Sequence, residues 1–273
     1  MTSDPVVPAR PALDADALRT ALVRDGSPWS ELVVSETTGS TNSDAAALAR
    51  AGAPSGLVVT TEHQTAGRGR LDRSFTTPAR SCVVVSVVLR PESVPPQAWV
   101  WLPLLTGLAV RDTVAAVGVE AGVKWPNDVL ISGRKISGIL LERVESPVGP
   151  AAVLGIGLNV DLTTDELPVP TATSLLLEGA HTLDRAKVLQ VLLEKIARHY
   201  EPWTATGGDP RSGLQSEYRA ACVTLGQEVR VELPDGSDLI GEATDVDADG
   251  RLVVAGQHLS AGDVTHVRPT HPR

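Results

Sequence analysis

The chain reads as an α+β protein: a mixed β-sheet with packed helices, followed by a small antiparallel β domain. Three observations predict this. Apolar, β-prone runs alternate with helical-period segments through most of the chain. Near Leu225 the pattern changes to short strands separated by turn residues. A length of 273 residues with 42% hydrophobic content is enough for one or two buried cores.

The elements follow in order. Residues 1 to about 12 are Pro-rich and read as a flexible tail. A short amphipathic helix runs from Asp14 to about Arg24, with Leu18 and Leu22 on one face. Strands are expected at Val33-Val34, Leu57 to Thr61, Cys82 to Leu89, the hairpin within 129–142, and Ala152 to Val160. Helices are expected at about 42–51, 98–117 and 184–200; the last has Asp184 as N-cap and Leu189, Leu192, Leu193 and Ile196 as its inward stripe. His199 near its end suits a cationic or solvated role. Beyond Leu225, Val229-Arg230-Val231-Glu232-Leu233 alternates at period two. Pro234-Asp235-Gly236 and Ala248-Asp249-Gly250 turn the chain, and Arg251-Leu252-Val253-Val254 follows. The expected division is 1–29 for tail and helix, 30–217 for the central domain, and 218–273 for the β domain.

Charge and cysteine usage narrow the function classes. A formal net charge of −9 argues against a broad nucleic-acid footprint, so anion binding has to be local. Cys82 and Cys222 are far apart and form no C-x-x-C pair, which suggests neither a disulfide framework nor a zinc site and fits a reduced cytoplasm. Cys82 opens an apolar run, as a small buried thiol would. No secretory signal and no membrane-spanning run is read.

Two segments carry chemistry. Thr65-Ala66-Gly67-Arg68-Gly69-Arg70-Leu71-Asp72-Arg73 crowds three arginines and two glycines into one stretch of an acidic protein. Glycine lets the backbone approach a ligand, and guanidinium forks pair with carboxylate or phosphate oxygens; a solvated basic turn is the plainer alternative. In Gly122-Val123-Lys124-Trp125-Pro126-Asn127-Asp128 and the residues after it, Val129–Ile131 and Ile136–Leu141 flank the turn Ser132-Gly133. That hairpin concentrates Lys124, Asn127, Asp128 and Lys135 at strand ends, where they can converge or simply be solvated.

Together these segments resemble the biotin protein ligase family, also called biotin–acetyl-CoA-carboxylase ligases. The G-R-G-R loop, the K-W-P-N-D hairpin and its following lysine carry the resemblance. Gly39-Ser40-Thr41-Asn42, Glu62-His63-Gln64-Thr65, Gly155-Ile156-Gly157-Leu158-Asn159-Val160 and Ala172-Thr173-Ser174-Leu175 support it in the same order. One departure is Phe75, where the family usually has tryptophan two residues after the last arginine of the loop.

The resemblance implies a class II aminoacyl-tRNA synthetase-like catalytic domain and an SH3-like C-terminal β-barrel. It implies activation of biotin by ATP to biotinyl-5'-adenylate with pyrophosphate release, then transfer to a lysine of the biotin carboxyl carrier domain of acetyl-CoA and related acyl-CoA carboxylases. Mg²⁺ is the implied cofactor. Lys135 takes the family's catalytic lysine position, and Arg68 is the candidate clamp on the biotin carboxylate or adenylate phosphate. Biotin is assigned Ser40, Thr41, Asn42, Gln64, Gly67, Arg68, Gly69, Arg70 and Lys135. ATP or the adenylate is assigned Arg68, Arg70, Arg73, Asn127, Lys135 and Asn159. Asp128 is the candidate metal ligand, with a structural strand-end role as the alternative. Ser40-Thr41-Asn42 can equally be a helix cap.

Fewer than 40 residues precede Ser40, so no DNA-binding repressor module is expected. The expected partners include neither DNA nor a membrane, and the expected state is a monomer or a ligand-dependent homodimer. The rivals are a lipoate ligase or octanoyltransferase, a non-enzymatic adenylate sensor or repressor, and an SH3-like interaction protein. The polar Ser40, Thr41 and Gln64 favour a ureido ligand over an aliphatic one, and intact Arg68, Arg70 and Lys135 favour an enzyme.

Overall fold

The computed structural model describes residues 10–70, 73–233, 236–260 and 263–266. The expected tail over 1–9, Leu71-Asp72 of the arginine-rich stretch and Pro234-Asp235 of one expected turn lie outside the described residues. Helix α1 (Ala15–Leu22) starts where the Asp14 carboxylate accepts the N–H groups of Asp16 and Ala17, and it buries Leu18 and Leu22.

The chain then alternates through β1 (Glu31–Ser35), α2 (Thr41–Arg50) and β2 (Leu57–Thr61). A two-stranded pair, β3 (Gly67–Arg68) and β4 (Ser74–Phe75), precedes β5 (Cys82–Leu89) and α3 (Trp101–Ala116). Next come β6 (Gly122–Lys124), β7 (Asp128–Ile131), β8 (Arg134–Val144), β9 (Ala151–Asn159), α4 (Arg185–Ala205) and α5 (Leu214–Ala221). Seven strands form one sheet in the order β1-β2-β5-β9-β8-β7-β6. It is mixed, because β1 and β2 run parallel and the other neighbours run antiparallel.

Strand parity divides this sheet into two faces. Val83, Val85, Val87, Leu154, Ile156 and Leu158 point into the large core with α3 and α4. Leu57, Val59, Val88, Val144 and Val153 point the other way, where Ala45, Ala46 and Ala49 of α2 cover them. Beyond the N-terminal end of α2 the second face carries the smaller cluster of Cys82, Val84 and Leu162, against which Phe75 packs. Ser132 and Gly133, with φ of 49° and 79°, turn β7 into β8, which suits a hairpin turn with two left-handed residues.

The C-terminal sheet contains β10 (Glu228–Glu232), β11 (Asp238–Val246), β12 (Leu252–Val254), β13 (Gln257–Leu259) and β14 (Asp263–His266), in the order β13-β12-β11-β10-β14. Its inward residues Val229, Val231, Ala243 and Val246 join the large core. Two buried indoles clasp one of its turns: Trp101 Nε1 donates to Ala248 O at 2.8 Å and Trp125 Nε1 to Gly250 O at 2.9 Å.

Three expectations need correction. The chain is already docked at Arg10, whose guanidinium pairs with Asp161 at 2.9 Å and Glu166 at 2.6 Å, so the expected tail does not extend to residue 12. Helix α4 passes residue 200 because its apolar stripe continues to buried Trp203. His199 is buried rather than solvated, 3.0 Å from Asp112 and 3.7 Å from Glu217. Helix α5 was not anticipated; its eight residues bury only Gln215 and Tyr218, too few for a clear period.

The N-terminal segment is held by an ion pair inside the protein. Glu62 and Arg185 meet at 2.6 Å with side chains 3% and 4% exposed; Leu13 N donates to Glu62, and Arg185 donates to Pro11 O. Removing one partner leaves an uncompensated buried charge, so Arg185→Met is expected to cost about 3–5 kcal/mol in urea denaturation.

Burial works against ionisation of Asp112, but hydrogen bonds from His199 and Arg111 outweigh it and hold the carboxyl at about 2, below its ordinary 3.8. A depressed carboxyl stabilises the folded state above the unfolded value, and that contribution is lost as pH falls through the folded one. Asp112→Asn is therefore expected to be about 1–2 kcal/mol less stable at neutral pH, after allowance for solvent screening. Thermal melts should show this gap closing between pH 4 and pH 2.

Candidate active site

The uncovered part of the sheet's second face is built from small residues. Ser86, Gly155 and Leu140 lie across β5, β9 and β8 in one row, and Val84, Gly157 and Gly138 form the next. Directly opposed residues share a face, so the glycines strip side chains from the centre of the sheet and leave a floor. Neighbouring groups fill the space. A β-carbon at Gly155 would overlap Asn42 Oδ1; at Gly157 it would sit 3.0 Å from Phe75 Cζ, and at Gly138 3.0 Å from Lys135 Nζ.

One wall is the N-terminus of α2. Ser40 is its N-cap by backbone geometry and makes no side-chain capping bond. Thr41 donates from N and Oγ1 to Gln64 Oε1, at 2.8 and 3.0 Å. Ser86 Oγ lies 2.8 Å from Thr41 Oγ1 and 2.6 Å from Asn42 Oδ1, where its single proton is shared between them. Asn42 Nδ2 donates to Glu142 Oε2 at 2.8 Å. Thr41, Asn42, Gln64 and Ser86 are all buried, so this is an ordered polar lattice in an otherwise apolar layer.

The other wall is the arginine-rich stretch. Gly67 pairs with Phe75 and Arg68 with Ser74, while Gly69 N donates to Arg73 O at 2.6 Å. Gly67 is confined, since a β-carbon there would overlap Phe75 O and come 2.5 Å from Gln64 Nε2. Phe75 thus packs its ring on the glycine floor, which accounts for an aromatic residue there without an indole. A cavity of about 530 Å³ is lined by Ala66, Gly67, Arg68, Gly69, Arg70, Arg73, Ser74, Leu140 and Glu142.

Arg68, Arg70 and Lys135 each meet β7, β8 or the turn before β7. Arg68 Nη2 donates to Glu142 Oε1 and Oε2 at 3.1 and 3.0 Å. Arg70 Nη1 donates to Asn127 Oδ1 at 3.1 Å. Lys135 Nζ stands 2.5 Å from Asp128 Oδ1. Lys135 is absent from the cavity lining, yet its ammonium sits over Gly138, on the strand face that carries Leu140 and Glu142. The arginine stretch and the hairpin lysine therefore share one side of the sheet. Lys124 lies across from Asp128 in the β6–β7 pairing, and burial together with its charge pushes the His266 imidazole down.

Two asparagines have their amides committed inside the protein. Asn127 Nδ2 donates to Ile139 O at 2.8 Å while its oxygen holds Arg70, so it positions a guanidinium. Buried Asn159 donates to Thr173 O at 2.8 Å and accepts from Cys82 Sγ at 3.6 Å. Burial pushes the Cys82 thiol up, away from nucleophile chemistry.

Sequence reasoning missed Glu142, Ser86, Gly138 and Gly155. The glycine spacing of two in Gly155-Ile156-Gly157 was the available signal, since in a strand it bares one face. The Asp112, His199 and Glu217 group could hold a metal by ligand type, but it lies between α3, α4 and α5 and Arg111 already occupies it.

The chain matches two family models: "Biotin/lipoate A/B protein ligase family" over residues 34–161 and "Biotin protein ligase C terminal domain" over 224–267. It is 45% identical to a biotin–acetyl-CoA-carboxylase ligase of Mycobacterium tuberculosis, over 95% of this chain and 97% of that one. It is 33% identical to the protein of the same name in Paracoccus denitrificans, over 80% of this chain and 92% of that one. A solved structure, the biotin protein ligase of Aquifex aeolicus in complex with biotin and ATP, has the same fold. Its TM-score is 0.73 at 23% identity, over 88% of this chain and all of that one.

The close approach at Gly155 gives a test of the polar lattice. Gly155→Ala is expected to destabilise the protein by about 1–3 kcal/mol in chemical denaturation. In an Asn42→Ala background the same Gly155→Ala substitution should cost much less, because the overlap is with the Asn42 amide.

Proposed function

The chain belongs to the biotin protein ligase family, and on that premise we propose that it is an ATP-dependent ligase that attaches biotin to the biotin carboxyl carrier domain of acetyl-CoA and related acyl-CoA carboxylases. The observation that carries this reading is the convergence of the arginine stretch and Lys135 on one glycine-floored face of the sheet. The buried lattice of Thr41, Asn42, Gln64 and Ser86 beside that floor supports a ureido ring over a purely aliphatic ligand, because it supplies donors and acceptors where an unpaired polar group would be costly.

A biotin carboxylate oxygen attacks the α-phosphorus of ATP and pyrophosphate leaves. The amine of the carrier lysine then attacks the acyl carbon, the amine gives up a proton and AMP leaves. The first step forces like charges together, so fixed cations lower its barrier more than they lower the ground state. Arg68, with the Gly67 and Gly69 backbone beside it, meets the oxygens at the junction of vitamin and nucleotide. Arg70, held by Asn127, and Arg73 meet the phosphates. Ser40, Thr41, Asn42 and Gln64 take the ureido end. Lys135 spans attacking carboxylate and α-phosphate, a task that suits a compact point charge on a flexible stem. Asn159 acts on the adenylate side through the backbone it braces, as both ends of its amide are committed.

Mg²⁺ when bound supplies further neutralisation of the phosphates. It generally binds through one or two carboxylates plus phosphate oxygens and water. Asp128, a carboxylate beside Lys135, is the residue that would hold it.

Purified protein given labelled biotin and Mg·ATP should release pyrophosphate and retain a labelled adenylate, and a carrier domain should then take up the label. Lys135→Ala is expected to slow biotin-dependent pyrophosphate release by about a hundredfold or more. Its thermal midpoint should change little, because the side chain is 43% exposed. Normal release by that variant would remove Lys135 from the reaction.

A further inference from the structure

Glu142 is out of place by charge. It lines the same cavity as Arg68, Arg70 and Arg73, where the proposed ligands are a carboxylate and a triphosphate, and a carboxylate there repels both unless it is paired. Its partners are Arg68, through Nη2, and Asn42, through Nδ2. Among the described residues the Arg68 bond uses one nitrogen for both oxygens, so the stronger two-nitrogen fork is not formed. The pair is also half open to water, with side chains 47% and 30% exposed. Such a pair shifts an equilibrium by no more than about fivefold. A ligand oxyanion that takes both nitrogens can displace it.

We infer that Glu142 is a built-in counter-anion and positioning residue: it holds Arg68 toward the cavity until a ligand oxyanion replaces it, and it fixes the Asn42 amide throughout. This rests on the ligase reading above. The two contacts serve different ends. The bond from Asn42 Nδ2 leaves Asn42 Oδ1 facing Ser86, which sets the donor and acceptor order of the vitamin wall. The bond to Arg68 keeps an arginine that is nearly half exposed from sampling solvent rotamers, and it neutralises the floor before substrate arrives.

The charges also set an order of events. The oxyanion that arrives at Arg68 frees the Glu142 carboxylate. That carboxylate remains tied to Asn42 and is then the nearest competing acceptor whenever the ligand leaves. Arg68 thus exchanges between two acceptors instead of between an acceptor and water, which reduces the side-chain ordering that binding has to supply.

Glu142→Gln separates the two contacts, because the amide oxygen still accepts from Asn42 while the charge facing Arg68 is gone. Titration calorimetry would compare the variant with the wild-type protein for three ligands: biotin, Mg·ATP and biotinol, the uncharged alcohol. The variant is expected to bind the anion that Arg68 takes about two- to fivefold more tightly, the worth of the exposed pair. A gain for biotin identifies the carboxylate, and a gain for Mg·ATP identifies the phosphate. Biotinol affinity should not change. In an Arg68→Ala background Glu142→Gln should only relieve simple repulsion, alike for both anions, so the gain selective for one of them should disappear. Unchanged or weaker binding of both anions by Glu142→Gln, or an equal gain for biotinol, would overturn the counter-anion role. The ligase reading is judged separately by whether the wild-type protein makes the labelled adenylate.

Discussion

The organisation of this protein follows from holding several cations close together before any anion is present to neutralise them. Arg68, Arg70 and Lys135 gather on one side of the sheet, and each meets an acceptor on β7, β8 or the turn before β7: Glu142 for Arg68, Asn127 for Arg70 and Asp128 for Lys135. Glu142 and Asp128 are charged acceptors, and Asn127 is a neutral one. Asn127 directly precedes Asp128 on β7 and Glu142 lies further along β8, so the pairing of β7 with β8 fixes the three acceptors relative to one another. The hairpin carries a bulge between Val129 and Leu130, beside which Lys135 pairs and turns its ammonium over Gly138.

The second requirement is room for ligands against a sheet that elsewhere is densely packed. Helix α2 covers the second face with alanines, and then gives way to Ser86 and glycines where further apolar side chains would close the space. Side chains from the edges occupy that room with specific groups: the Asn42 amide over Gly155, the Phe75 ring over Gly157, the Lys135 ammonium over Gly138. Every floor glycine therefore faces a functional or packing group, and the small residues and polar side chains act as one lattice. The opposite face of the same strands is largely apolar against α3 and α4, with Ser137 a buried polar exception. Strand alternation alone separates the rigid support from the reactive surface.

Much of this was legible in the sequence, for reasons that differ by element. Leu57–Thr61 and Cys82–Leu89 appear as read, since unbroken β-branched runs suit central strands buried on both faces. Ser132-Gly133 specified its turn through two left-handed residues. The grouping of the arginine stretch with Lys135 was legible only through the order of motifs, because the residues concerned are more than 60 positions apart. Glu142 was hidden for the opposite reason. Within Leu140-Leu141-Glu142-Arg143 it looks like an ordinary charged strand end, and only the pairing of β8 with β9 places it across from Val153 on the cleft face. The docking of Arg10 was hidden as well, because its partners Asp161 and Glu166 are about 150 residues away and a Pro-rich start suggests a loose chain.

The K-W-P-N-D segment shows why the C-terminal β domain belongs to the architecture of the site. Trp125 is buried and gives its indole N–H to Gly250 O, and its backbone N–H donates to Thr224 Oγ1 at 3.2 Å. Two residues later Asn127 holds Arg70, and Asp128 holds Lys135. One side of this short segment is therefore pinned to the C-terminal domain while the other positions two of the three cations. A Trp–Pro pair is stiff, so displacement of the turn around Gly250 has few torsions in which to be absorbed before it reaches Asn127. The shared hydrophobic core, in which Val229 and Val246 pack in the same cluster as Trp101 and Trp125, opposes such displacement. The small domain thus acts on the chemistry as a brace behind the hairpin, without contributing a side chain to the cavity lining.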